Sequence, residues 1–188
     1  RARILLAPAQ FAATGSTAAY RYWAMSADSS IIDVAVESPT GGTVDLHPLV
    51  RTVDAQGIAT IGLPSAVLLA KVLAATNNDT VRPVCDTVVV LPPVQVNYAI
   101  NAQLTLYASA DDVSTIAAAS AALESYTAAL TGSLGNDIVR NQIIGALQSV
   151  AGVYDVVLVS PTADRILAAD EWANCTSVLV SKVGIQHG

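Results

Sequence analysis

The sequence predicts an α+β fold: a ββαβ unit, then a βααβ unit with a further C-terminal strand, all preceded by an N-terminal arm and helix. Three observations carry this reading. Val94, Val96, Tyr98, Ile100, Ala102, Leu104 and Leu106 occupy every second position, with Gln95, Asn97, Asn101, Gln103 and Thr105 between them, the pattern of a strand with one face buried and one face wet. Elsewhere apolar residues recur at spacings of three and four, the helical period. Pro92-Pro93 stands between these blocks as a natural boundary, since neither residue can donate to a ladder. The expected divisions are therefore 1–29 (arm and helix), 30–92 (middle unit) and 93–188 (C-terminal unit).

Each element has its own signal. Gly15-Ser16 opens a helix bearing Ala19, Tyr20, Trp23, Ala24 and Ala27, and its Tyr20/Trp23 face is expected to anchor on the body or on a neighbouring subunit. Ile32, Val34 and Val36 alternate with Asp33 and Glu37, Pro39-Thr40-Gly41-Gly42 turns the chain, and Val44, Leu46 and Leu49 continue a second strand. Residues 51–63 read as loop. Pro64-Ser65 opens a helix with Leu68, Leu69, Val72 and Leu73 on one face, ended by Asn77-Asn78-Asp79, and Val84 to Leu91 reads as a strand.

After the long strand, Ser109-Ala110-Asp111-Asp112 has the form of a capping box. The helix behind it carries Val113, Ile116, Ser120, Leu123, Tyr126 and Leu130. Asn136 or Asp137 is expected to cap a third helix with Val139, Ile143, Leu147 and Val150 inward. Tyr154–Val159, a Ser160-Pro161 turn and Thr176–Val183 complete the chain. At ~3.4 Å per residue the long strand spans roughly 40 Å, a length suited to bridging two modules or to offering an edge to a partner.

Composition narrows the function classes. The 188 residues are 53% hydrophobic but only 5% aromatic and 13% charged, with a mean hydropathy of +0.51. That charged share is about half the usual one, which predicts a surface partly covered by other subunits. The longest apolar runs fall far short of the ~20 residues of a spanning helix, so no membrane insertion is expected. Arg1-Ala2-Arg3-Ile4-Leu5-Leu6-Ala7-Pro8 is not a signal peptide, and the lack of an initiator Met predicts a piece of a longer protein. Net charge is −6 and the nine basic residues are scattered, unlike the clustered footprint of a nucleic-acid binder.

Chemistry is sparse. Nucleophilic catalysis needs a base beside a Ser or Cys, yet the histidines are His47, in a strand beside Pro48, and the penultimate His187. Cys85 and Cys175 lie 90 residues apart and read as two buried, reduced thiols. With His47 and His187 they form no locally spaced ligand pair, so no metal site is expected. Asp111-Asp112 reads as a helix cap, and Thr40-Gly41-Gly42-Thr43 as a hairpin turn without a following G-K-[ST]. Asn78-Asp79-Thr80 and Asn174-Cys175-Thr176 match a glycosylation triplet that carries nothing without a secretion signal. Asp170-Glu171 beside Trp172 is the most tempting carboxylate pair for glycosidase work; its ordinary reading is a solvated loop. No catalytic, cofactor-binding or metal residue is assigned. The interface candidates are Tyr20, Trp23, Gln95, Asn97, Asn101 and Gln103.

A set of phrases, in order, resembles the baseplate J family of contractile phage tails. These are Leu6-Ala7-Pro8, Phe11, Gly15, Ala19-Tyr20, Ser26-Ala27-Asp28, Ile32-Asp33-Val34 and Ser38-Pro39. They continue with Val81-Arg82-Pro83 near Asp86 and Val88, Leu104-Thr105-Leu106-Tyr107, Val157-Leu158-Val159-Ser160-Pro161, and Asp170-Glu171-Trp172-Ala173-Asn174-Cys175. The resemblance spans almost the whole chain and departs at Asp54-Ala55-Gln56-Gly57, where a more acidic, Gly-rich connection is expected.

The resemblance implies a non-enzymatic wedge or assembly protein of a phage or prophage-derived baseplate, without cofactor. It would be assembled in the bacterial host cytoplasm and be held by wedge neighbours, the hub and its own copies in a ring. Two other readings stay open. One is a small carboxylate-dependent cell-wall glycosidase of a tail machine, which needs a cleft with a raised carboxyl pKa. The other is a ligand-binding α+β module, which needs an apolar pocket with convergent polar groups.

Overall fold

The computed structural model describes residues 15–78 and 81–187; the expected N-terminal arm and the Asp79-Thr80 end of the second helix lie outside them. The described chain forms an α+β fold with two sheets, and it divides into two compact units. The first takes the described residues up to Val94 together with Gly132–Gly135 and Ala168–Trp172. The second takes Gln95–Thr131, Asn136–Leu167 and the residues from Ala173 onward.

In the first unit, α1 (Thr17–Ala27) begins where Ser16 Oγ accepts from the Ala19 amide at 3.3 Å, a side-chain N-cap. A hairpin follows, β1 (Ile31–Glu37) and β2 (Thr43–Val53), antiparallel in the register Ala35↔His47 and Glu37↔Asp45. Residues 51–63 are not loop. β2 runs on to Val53 and pairs with β3 (Ala59–Gly62), so the unit is βββαβ. Asp54 makes the turn, its Oδ1 accepting from the Gln56 and Ile58 amides, and Gly57 takes φ +83° there. This hairpin has no apolar alternation to read because its tip is solvated on both faces.

The helix α2 (Ala66–Thr76) is capped by Ser65, and β4 (Thr87–Val90) lies parallel to β2. β4 is shorter than the predicted Val84–Leu91 strand; Val84 sits in a turn and is 99% exposed. Tyr20, Ala24, Ile31, Val34, Val44, Leu46, Val72 and Val88 form the core of this unit.

β2 is the shared strand, bonded to β1 along one edge and to β4 and β3 along the other. Pro48 sits in its middle, where a missing N–H would ordinarily break a ladder. The Leu46 carbonyl accepts from Leu91 on the β4 edge, and residues two apart face the same edge. The nitrogen of Pro48 therefore faces the gap where pairing passes from β4 to β3, and no ladder bond is lost.

The second unit has a three-stranded sheet in the order β6-β5-β7, from β5 (Val94–Tyr107), β6 (Val153–Ser160) and β7 (Glu171–Gln186). The period-two pattern is realised: Tyr98, Ile100, Ala102, Leu104 and Leu106 are buried. They pack against Ala119, Leu123 and Leu130 of α3 (Asp112–Thr131) and Ile143 and Leu147 of α4 (Arg140–Gln148). β5 is the central strand, so both of its edges are used and the expectation that it offers an edge to a partner is withdrawn. β6 is antiparallel to it. β7 runs alongside in the same direction, with Thr176 Oγ1 donating to Tyr98 O and Ala108 N to Gln186 O. β7 is also longer than the predicted Thr176–Val183.

Two helix details differ from expectation. The buried side of α3 is Thr115, Ala119, Leu123, Thr127 and Leu130, while Val113 is exposed. α4 follows Val139, which has no side-chain cap, and Asp164 accepts from the Arg140 amide at 2.8 Å instead. Asn136 and Asp137 are engaged elsewhere, with Leu130 O and Leu167 N. A cap supplied from 24 residues away has no local spacing to betray it.

Replacing fully buried Leu104 with Ala should cost about 2–5 kcal/mol, whereas Gln103→Ala, on the opposite face, should stay within about 0.5 kcal/mol. Urea denaturation of the two variants checks the assignment of faces.

Candidate functional site

The described residues place the six interface candidates unequally. Tyr20 is 1% exposed and donates from its hydroxyl to Asp86 Oδ2 at 2.8 Å; burial first, then the Asp86 carboxylate, pushes its phenol well above the ordinary value. It belongs to the core of its own unit. Trp23 is half-buried, edge to face with Tyr22 at 5.2 Å.

Gln95 and Asn97 are exposed and form a polar chain with β7: Gln95 Nε2 donates to Asn97 Oδ1 at 2.8 Å, as does Asn174 Nδ2 at 2.9 Å. Asn101 and Gln103 are half-buried on the sheet face turned away from α3 and α4.

Sequence reading of β5 alone missed the apolar residues beside this polar row. Val157 pairs with Gln103 and is exposed, as is Val159. Leu179, between the core-facing Val178 and Val180, is exposed on β7, and Val183 and Ile185 are exposed beyond it. In the first unit Val53 and Ile58 stand exposed at the β2–β3 hairpin, and Val67 on α2. The clue for β6 was present in the run Val153–Val159, where Asp155 marks the outward positions that Val157 and Val159 share.

The opposite side of the first sheet is polar and covered. Asp33 lies on the face opposite Val34 and Val36, as the alternation gives, and is nevertheless buried. Its carboxylate accepts from Arg21 Nη2, from the Val34 amide at 2.8 Å and from the Leu134 amide at 2.9 Å, so the buried charge is paired and bonded. His47 is also buried, with Nδ1 3.4 Å from Pro92 O and Nε2 3.8 Å from Glu37 Oε2.

Asp170 joins these residues. One ligand atom each from Glu37, His47 and Asp170 lies within 4.8 Å of the others. The tempting neighbours of Asp170 have structural roles: Glu171 opens β7 and closes its own turn by accepting from the Ala168 amide, and Trp172 is 3% exposed.

A cavity of about 430 Å³ opens in the first unit, with Val50, Leu63, Val67, Leu68, Asp28 and Lys71 among its lining residues. Its polar groups satisfy one another: Lys71 Nζ donates to Asp28 Oδ2 at 2.7 Å, and Asp28 Oδ1 accepts from the amide and hydroxyl of Ser30. The Lys71 ammonium first, then Ser30, holds the Asp28 carboxyl well below the usual carboxylate range. A glycosidase general acid needs the opposite shift.

The cysteines are free thiols. Cys85 is exposed, contrary to its expected burial, whereas burial pushes the half-buried Cys175 thiol up, which keeps it protonated and unreactive. No described helix is long and apolar enough to cross a membrane.

Residues 12–92 match the Baseplate J-like central domain and residues 98–181 the Baseplate J-like protein C-terminal domain. The chain is 38% identical over 180 residues to baseplate protein J of Escherichia phage P2, covering 96% of this chain and 57% of that protein. It thus spans somewhat over half the length of this curated relative. Its fold resembles a chain in the cryo-EM structure of the anti-feeding prophage baseplate, at a TM-score of 0.58 and 12% identity. That match covers 92% of this chain and 40% of the other.

Because the folded-state pKa of Asp28 is lowered, its stabilisation is present above the unfolded value of about 3.9 and is lost as pH falls below it. Asp28→Asn should therefore cost about 1 kcal/mol at pH 7, the exposure of Lys71 keeping it small. The difference from wild type should shrink towards pH 3. Thermal melts across that range provide the test; a gap that persists undiminished in acid would show that the carboxylate charge is not the source.

Proposed function

Since the chain belongs to the baseplate J-like family, we propose that it is a structural component of a contractile tail baseplate that works through subunit interfaces. The observation that carries this reading is the consecutive match of both halves to the central and C-terminal baseplate J-like domains, with 38% identity to a baseplate protein across nearly the whole chain. In this reading the chain is a wedge or assembly protein of the virion baseplate, assembled in the host cytoplasm. It contacts wedge neighbours, the hub and further copies of itself, and neither catalyses a reaction nor binds nucleic acid.

The surface is consistent with that role. Specific interfaces keep an apolar centre within a polar rim, and the open face of the second sheet sets Val157, Val159 and Leu179 around Asn101 and Gln103. The exposed Val53 and Ile58 of the β2–β3 hairpin supply a second contact. Pro92-Pro93 is taken as the junction of the two functional modules, each with its own interface.

Light scattering coupled to size exclusion, on the chain alone and mixed with the tail proteins encoded beside it, is the test. Stable complexes of defined mass are expected. Val157→Asp with Leu179→Asp should abolish them, and since both side chains are exposed the chain should remain folded. A persistent monomer that binds none of those proteins would overturn the proposal and return attention to cell-wall hydrolysis.

A further inference from the structure

We propose that His47, Glu37 and Asp170 bind one zinc ion, which ties the 168–171 turn to the β1–β2 hairpin of the first unit. The three residues come from three segments. Glu37 ends β1 and His47 lies on β2; their register, Ala35↔His47 and Glu37↔Asp45, makes them diagonal neighbours on one sheet face, within reach of long side chains. Asp170 is delivered by a pinned turn: its carbonyl accepts from the Val94 amide at 3.0 Å, Glu171 N donates to Ala168 O at 3.0 Å, and Ala168 N to Glu171 Oε2 at 2.9 Å. The donors are thus held by backbone, as a pre-organised site requires.

The histidine itself points to a ligand. Its side chain is only 7% exposed. The carbonyl of Pro92 can only accept, so the contact at 3.4 Å suits an Nδ1–H donor and turns Nε2 towards the two carboxylates. A metal-bound imidazole is oriented in this way, its far N–H on a carbonyl or carboxylate. Nε2 then faces Glu37 Oε2 across 3.8 Å, too far for a hydrogen bond.

A cation fits that gap. Donors about 2.0–2.2 Å from a tetrahedral zinc lie roughly 3.3–3.6 Å from one another. A few tenths of an ångström closes the His47–Glu37 distance, and at most about 1.2–1.5 Å brings in the most distant pair of the cluster, all within 4.8 Å. One imidazole and two carboxylates suit zinc; calcium and magnesium take six or more oxygen donors. Three protein ligands leave the fourth position to water. Ligands at positions 37, 47 and 170 include no close pair, and a search among the histidines and cysteines does not meet the two carboxylates.

The test uses the whole chain, stripped with a chelator, dialysed, and titrated with zinc chloride by calorimetry, with bound metal counted by emission spectroscopy. One zinc per chain and a melting temperature that rises with free zinc are expected. Glu37→Gln and Asp170→Asn, near-isosteric changes at half-buried positions, should each weaken binding at least about tenfold with unchanged circular dichroism. Cys85→Ser, which removes the exposed thiol, should leave binding intact. Substoichiometric uptake, wild-type affinity in both carboxylate variants, or loss of binding in Cys85→Ser would each overturn the proposal.

Discussion

The first unit depends on the backbone pairing of β2. A strand buried from Leu46 to Val50 must have its N–H and C=O groups bonded on both edges, because an orphaned peptide group inside a protein costs more than a hydrogen bond returns. β1 satisfies one edge, and β4 and β3 divide the other. That division explains why α2 is needed: β4 lies parallel to β2, and parallel neighbours require a crossover. It also explains how Pro48 is accommodated. The second unit repeats the principle with β5 between β6 and β7.

Burying both faces of β2 has a chemical consequence. One face of this sheet meets the helices through Val44 and Leu46; the other carries Asp33 of β1 and His47 of β2. Polar groups placed there must find partners, and the Leu134 amide, the Arg21 guanidinium and the Pro92 carbonyl provide them. Two short segments from late in the chain, Gly132–Gly135 and Ala168–Trp172, belong to this unit and bring Leu134 and Asp170 to that face. Asp33 is thereby bonded to a backbone amide 101 residues further along the chain.

The surface follows a different logic. In the second sheet the alternation of β5 directs every other side chain to the helices, and the remaining face carries polar residues flanked by exposed Val157, Val159 and Leu179. Such a face suits association better than catalysis, and the ionised, internally satisfied Asp28–Lys71 pair in the cavity offers no general acid.

What the sequence determined by itself were the features set by neighbours a few residues apart. The alternation from Val94 to Leu106, the Ser16 and Ser65 caps, the hairpin turn at Gly41-Gly42 and the apolar side of α4 are all local, because side-chain direction repeats with backbone period. Tertiary structure alone decided the rest. It set β5 between two strands rather than at an edge, made β3 from a solvated stretch, buried Asp33 against the Leu134 amide, and capped α4 with Asp164. It also gathered Glu37, His47 and Asp170. Each of these depends on which distant segment supplies a hydrogen bond or covers a face, and that information resides in the packing of the whole chain rather than in any window of it.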